Sequence, residues 1–371
     1  MSRARTFADL ATASEEGSLA SPNMIQNGDM AVAQRATSLT SQTGTFYCVD
    51  RFKIIESADA VFSAAQSSTS PEGFNNSLKI DTTTADSSLS STQYSSIVQN
   101  QEGLNLQHLN WGTSNAKPLT VSFHVRSNVT GTYCLLMVAK DATVKYQSQT
   151  YTIDSANTWE KKVLTYIGET TTAIPDDNTN SLWIEFCLGS GTGYTSGGAT
   201  GQAWSSDGTK YFGGQGVNIM ASTDNEFLLT GVQMEVGRVA TPFKYESFGD
   251  NLARCQRYFA KSYSVGTAPA ENAEIGFTYT AVSLSGTDVR VPFVTYPVRM
   301  RAAATVQFDE PAYPLTGGSA GQWHYGGVEQ YDTPSASIQR DNGFYCSATV
   351  AGATTNSSHW TSGEWTADAD L

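Results

Sequence analysis

The sequence predicts an all-β protein: a large jelly-roll-like β-sandwich, one short helix, then a smaller C-terminal β domain. Three observations carry this. Charged residues make up only 15 % of the 371-residue chain, against about 25 % in an average domain. Ser, Thr, Asn, Gln and Gly fill the deficit, which suits strands and turns better than helices with charged faces. Short apolar or alternating runs recur between Gly- and Asn-rich turns, whereas helical periodicity is convincing only once.

Residues 1–21 read as a leader. Phe7, Leu10 and Ala11 fall on one short helical face, and Thr12–Ala20 is small and polar. Residues 22–246 read as the large sandwich. Thr45–Ile55 is apolar and aromatic. Thr120–Arg126 alternates, with Val121, Phe123 and Val125 inward, and Ser181–Leu188 alternates with Leu182, Ile184, Phe186 and Leu188 inward. Thr132–Ala139 is continuously apolar, as in a core strand. Gln149–Ile153, Lys161–Ile167 and Glu226–Val236 complete the set, with Gly231 marking a bulge in the last. Residues 247–262 read as a connecting helix: Phe248, Leu252, Cys255 and Phe259 recur at i, i+4, i+7 and i+11 as one apolar stripe. Residues 263–371 restart the strand pattern at Gly276–Ser283, Thr287–Thr295, Ala302–Phe308 and Phe344–Val350.

Net charge is −13, and from Ser264 to Leu371 four Arg against eleven Asp and Glu leave −7. Nucleic-acid binding needs a positive surface that displaces counterions from phosphate, so DNA and RNA are excluded as expected partners. No run approaches the ~20 apolar residues of a membrane helix, so no membrane insertion is expected. The five cysteines, Cys48, Cys134, Cys187, Cys255 and Cys346, are odd in number, widely spaced and without a CxxC pair. They are expected to be buried thiols in a chain that folds in a reducing cytoplasm.

Enzyme signatures are poor. His108, His124, His324 and His359 are isolated from one another and from zinc-binding spacings, and no GxSxG elbow occurs. Gly189-Ser-Gly-Thr-Gly193 lacks the following helix that a phosphate cradle needs. No catalytic residue, metal ligand or cofactor is therefore assigned.

The segment from Gly189 to about Gly216 reads as a long flexible loop bearing Tyr194, Trp204, Tyr211 and Phe212. Aromatic rings among Gly and Ser offer flat platforms on which sugars stack. The other reading is that they fold back to plug the sandwich or pack on a neighbouring subunit. Trp323 and Tyr325, with Trp360 and Trp365, form a second aromatic set, which reads either as an adhesive tip that stacks glycan or as intersubunit packing.

Several segments then become recognisable. Ser2-Arg-Ala-Arg5 with Phe7–Leu10, Ile25–Met30 followed by Ala33-Gln34-Arg35, and Asp50-Arg51-Phe52 are three of them. Trp111-Gly112 through Val121-Ser-Phe123, Asn157–Lys162, Thr230–Glu235 with Ala240–Phe243, and Leu252 through Tyr258 continue the series, which closes on Thr366–Leu371. Together they resemble a family of tailed-bacteriophage virion proteins found in fibre and appendage genes. The resemblance implies a carbohydrate-binding-module-like sandwich on a virion fibre assembled in the bacterial cytoplasm. Its leader, with Arg3, Arg5, Phe7 and Leu10, would attach it to other virion proteins, and its β domains would meet a host-surface glycan. A fibre mounted on a particle axis implies a homotrimer, with the Phe248, Leu252, Cys255 and Phe259 stripe as its seam. A capsid head fibre or decoration protein, and a polysaccharide depolymerase, are the alternatives.

Overall fold

The computed structural model describes residues 23–270, 277–309, 321–326 and 330–371. The leader, with Arg3, Arg5, Phe7 and Leu10, lies outside the described residues. The chain divides into two compact units, each with its own core.

The first unit holds residues 38–247, with 23–31 and Leu371. Its strands are β1 (Ser38–Gln42), β2 (Thr45–Tyr47), β3 (Lys53–Glu56), β4 (Val61–Ser67), β5 (Ser77–Thr84), β6 (Tyr94–Glu102), β7 (Leu119–Ser127), β8 (Gly131–Ala139), β9 (Lys145–Ile153), β10 (Glu160–Tyr166), β11 (Asn180–Ser190) and β12 (Glu226–Val236). They form two six-stranded antiparallel sheets, ordered β1-β4-β5-β12-β7-β10 and β2-β3-β6-β11-β8-β9. Sequence neighbours such as β5 and β6 lie in different sheets, so the chain crosses repeatedly between layers, as in a jelly roll.

Alternation sets which side chains meet between the sheets. Val121, Phe123 and Val125 of β7 are fully buried and face Leu182, Ile184 and Phe186 of β11. Phe123 and Phe186 touch edge to face at 5.0 Å. Burying a ring of this size contributes roughly 1.5–3 kcal/mol. The Thr45–Ile55 run is two strands rather than one. β2 and β3 form a hairpin, and Arg51 at φ 71° lies in its turn. The bulge expected at Gly231 is present: the β12–β7 register slips between Thr230 and Gln233, and Gly231 has φ 61°. A side chain there would also strike His124 and Phe74.

The second unit holds 32–37 and 248–370. Its helix, α1, covers Phe248–Gln256 and is shorter than the predicted 247–262. Strands β13 (Phe259–Lys261), β14 (Phe277–Ser285), β15 (Asp288–Thr295), β16 (Thr305–Asp309), β17 (Trp323–Tyr325), β18 (Gln330–Asp332), β19 (Ser335–Arg340), β20 (Gly343–Thr349) and β21 (Ser358–Asp368) follow. The eleven-residue β21 is the hub. Its first half pairs with β14 and β17, and its second half with β13 and β16.

The four-residue helical stripe is therefore corrected. Phe259 is not helical: after Tyr258 the chain extends and pairs with the end of β21, where Phe259 is buried beneath the Arg35 guanidinium at 4.0 Å. Cys255 is buried as well, Leu252 is half-buried, and only Phe248 is exposed, at 52 %. Aromatic residues favour strands, and nine pairing strands override a short helix's periodicity. Among the described residues, no helix is long and apolar enough to cross a membrane.

Candidate functional site

The β2-β3-β6-β11-β8-β9 sheet has a second face, turned away from the first unit's main core. Strand alternation places Cys134, Leu136 and Val138 of β8, Tyr146 of β9 and Cys187 of β11 there. β8 is apolar and buried from Tyr133 to Ala139 because both of its faces are covered there. The cover is the long segment after β11.

That segment is not the flexible loop expected from its composition. Gly191 and Gly193 amides donate to Gln93 and Ser91 carbonyls, both at 2.8 Å, and Gly201 donates to Ser148 at 3.1 Å. Ser205 and Tyr146 exchange two hydrogen bonds of 2.9 Å, and Gly216 donates to Thr132. Glycines let the backbone lie this close to the sheet, and the rings then seal it. Phe212 is fully buried against Tyr94, Tyr194 and Tyr211. Trp204 packs edge to face on Trp111 at 5.3 Å, and its Nε1 donates to the Ile167 carbonyl at 3.1 Å. Both rings anchor the loop, so Phe212 and Trp204 are corrected from sugar platforms to plugs. Tyr194 stands against Tyr94 at 5.5 Å as part of the same seal.

Where the loop stops, a groove of about 220 Å³ remains open on the sheet. Its floor is two adjacent cross-strand rows. One holds Lys53, Val98 and Glu185; the other holds Asn100 and Trp183, and both rows continue under the loop as Leu136 and as Val138 and Tyr146. Tyr211 closes one side, and Ile55, Tyr94, Asn180 and Lys140, just past β8, complete the lining. Of the six aromatic residues singled out from the sequence, only Tyr211 lines this groove.

Glu185 organises the floor. Its carboxylate accepts from Ser96 Oγ at 2.6 Å, Tyr211 OH at 2.8 Å and Trp183 Nε1 at 3.1 Å. Burial pushes its pKa up despite these three donors. Burial, and then the neighbouring Glu185 charge, likewise raise Tyr94 to about 12. The carboxylate thus fixes the indole and phenol that border the groove. Lys53 Nζ and Asn100 Nδ2 both donate to the Leu371 main-chain oxygen, at 2.9 and 2.6 Å. Asn180 Nδ2 donates to Asn100 Oδ1 at 3.2 Å.

Sequence reasoning missed Trp183, Glu185, Asn100 and Lys53. The signal was available in Ser181–Leu188: if even positions face the core, Trp183 and Glu185 face outward, and an outward Trp on a central strand is unusual.

The second unit's aromatic set is also corrected. Trp323 and Tyr325 are fully buried. Trp323 stacks on Tyr279 at 5.5 Å, meets Phe308 edge-on and donates Nε1 to the Glu364 carbonyl at 3.0 Å. Gly363 leaves room for the indole, since a Cβ there would lie 2.1 Å from the ring. Trp365 is buried beside them, whereas Trp360 is 40 % exposed.

All five cysteines are buried and none is in a disulfide. Burial raises the Cys48 and Cys346 thiols to about 12, which keeps them protonated and unreactive. Among the described residues, no group of three or more His, Cys, Asp or Glu is placed to hold a metal ion.

No protein-family model matches the chain, and no curated protein does. Among solved structures, the chain is similar to one described as "CBM4 structure and function", at 12 % identity and TM-score 0.29 over 57 % of this chain and 99 % of that one. It is similar to the family 11 carbohydrate-binding module of the cellulosomal cellulase Lic26A-Cel5E of Clostridium thermocellum, at 12 % identity and TM-score 0.28 over 54 % and 99 %. It is also similar to the enzymatically active domain of tailspike protein 4 of bacteriophage CBA120, at 12 % identity and TM-score 0.27, covering 58 % of this chain but 21 % of that one.

Proposed function

We propose that the first unit binds a glycan in the open groove, with Trp183 and Tyr211 as its apolar walls and Asn100 and Asn180 as its hydrogen-bonding groups. The observation that carries this is the fixed aromatic pair: both rings are bonded to the buried Glu185 beside an open floor bearing amides and ammonium groups. Sugars present apolar C–H faces and polar edges, and a rigid ring beside amides meets both. The groove, at about 220 Å³, is smaller than the ~300–1,000 Å³ of drug-sized pockets. That suits one or two sugar rings and weak single-site affinity, which a multivalent assembly raises.

The test is binding of the full chain to a glycan array, followed by titration of the best hit. Trp183→Ala should weaken binding by about tenfold or more, the equivalent of ~1.4 kcal/mol. Folding is checked by the thermal transition. A folded Trp183→Ala chain with unchanged affinity overturns the assignment.

The same proposal makes the protein a structural and adhesive subunit of a phage tail fibre, trimeric, and anchored by residues 1–21. The motif resemblance from Ile25–Met30 to Thr366–Leu371 supports this reading. Labelled antibody on intact particles locates the chain, and binding to the head rather than the tail favours the head-fibre alternative. We propose binding without hydrolysis: Glu185 is the one carboxylate among the residues lining the groove, and a glycosidase uses two. Release of oligosaccharide from the bound polymer would replace this with the depolymerase reading.

A further inference from the structure

We propose that the outward face of the second unit's main sheet is the surface on which a second copy of this chain docks. This rests on the reading of the chain as one subunit of an assembly, and it names where the copies meet.

Three observations lead here. First, the face is regular, apolar and open. On β21, β14, β15, β20 and β19, the core side chains include Ala281, Val289, Val291, Phe344 and Cys346, so their strand neighbours point outward. Ser358, Val282, Arg290, Ser347 and Ser335 form one unbroken row across all five strands. Val282, Leu284, Tyr345 and Trp360 are exposed on this face, and Phe293 packs on Tyr345 at 5.0 Å. The α1 stripe, in contrast, leaves only Phe248 exposed.

Second, the face is free of the chain's excess charge. Ser264 to Leu371 carries −7. Yet the charged residues at outward positions of this face are Arg290, ion-paired with Asp288 at 2.9 Å, and Arg340 opposite Gly343. No unpaired carboxylate stands among them. Two copies of so acidic a chain repel over most of their surface and repel least here.

Third, β19 is an outermost strand, and its register with β20 slips between Ser337 and Arg340. Within the slip Ile338 has φ 51° and is 60 % exposed. The left-handed region is costly for a β-branched residue, and exposure to water returns nothing. A neighbour that covers Ile338 gives that strain a function. The bulge also hinders edge-to-edge pairing, which directs association to the face.

The occupant is protein rather than sugar because Val282, Leu284 and Ile338 have no ring to stack, whereas each gains by burial against another apolar face. Five strands about 4.8 Å wide and ~20 Å long give a face of roughly 24 by 20 Å. Two such faces bury on the order of 1,000 Å², the lower limit of a specific contact, so association at micromolar concentration is expected.

Sedimentation velocity of the full chain from about 1 to about 100 µM reads this directly. The wild type should pass from monomer to oligomer over that range. Added NaCl should not weaken the contact, because it screens the repulsion between acidic copies. Val282→Glu combined with Leu284→Glu puts two carboxylates on the face and should raise the Kd about tenfold or more. Ile338→Asn should raise it about two- to fivefold while melting at the same temperature or higher, since Asn enters the left-handed region readily. Val144→Glu combined with Val163→Glu adds the same charge at exposed positions of the first unit and should leave association close to wild type.

A wild type that stays monomeric throughout overturns the face and the assembled-subunit reading together. Association that the face variants leave unchanged overturns the face and keeps the assembly. Unchanged association with a lowered melting temperature in the doubly charged variant would show the face packed within one chain, which also overturns docking. Unchanged association with lost binding to immobilised glycan would make the face a sugar platform instead.

Discussion

The outer face of the β2-β3-β6-β11-β8-β9 sheet is treated differently at its two ends. At one end Leu136, Val138 and Tyr146 lie under the loop rings Phe212 and Tyr211, and water is excluded. At the other, Trp183, Asn100 and Lys53 line open space. The strands are continuous across both, so the difference comes from where the loop stops. A groove of about 220 Å³ is left where part of the face stays uncovered. Aromatic content alone does not mark such a site: most rings near it serve the cover.

That contrast can be broken from the covered end first. Phe212→Ala should have the largest effect. It removes a fully buried ring from a cluster of four aromatic residues, at a cost of ~3–5 kcal/mol. Chemical denaturation of the full chain reads this directly. A loss below about 1 kcal/mol would mean that the loop is not a structural cover. Trp204→Ala comes next, at ~2–4 kcal/mol, because its ring is only partly buried but is packed on Trp111 and hydrogen-bonded. Affinity for the glycan measured on folded protein should change little, since Trp204 does not line the groove. A large affinity loss without a stability loss would restore it as a platform.

Smaller effects sharpen the comparison at the open end. Tyr211→Phe keeps the ring and removes the phenol that donates to Glu185 at 2.8 Å. Leaving a buried acceptor one donor short costs ~1–3 kcal/mol. The thermal transition should fall modestly while stacking area is retained.

The sandwich was legible because its strands alternate in the open: Val121, Phe123 and Val125 face inward as the pattern requires. β21 was missed although it is the second unit's hub. Its Ser358–Asp368 run mixes Trp, Ser, Gly and Glu, and it is buried by pairing on both edges rather than by an apolar pattern. The loop was located correctly from its glycines, but composition says nothing about which ring meets the sheet. Trp204 and Trp183 look equally promising as letters. One is an anchor and the other a wall because of what lies opposite: Trp111 for the first, Glu185 and open space for the second. Asn100 and Lys53 could be joined to Trp183 only once the β3-β6-β11 order was known.

The smallest effect, and the most diagnostic, is a trend with pH. Burial holds the Glu185 pKa above its ordinary value, so the folded protein binds that proton more tightly than the unfolded chain does. Its contribution to stability is complete at low pH, below the unfolded carboxyl's own range. It is lost as pH rises through the folded value. Glu185→Gln removes the titration and leaves every other ionisable group in place. The difference in unfolding free energy, wild type minus variant, should therefore decline as pH rises from about 4 toward neutrality. The variant amide can turn its oxygen toward Trp183 and Tyr211 and its NH2 toward the Ser96 hydroxyl, which accepts, so the constant offset beneath the trend should be small. Urea unfolding of both proteins across that range separates slope from offset. Parallel stability curves would show that the carboxyl titrates as an exposed one does, and that the floor of the groove is open to water.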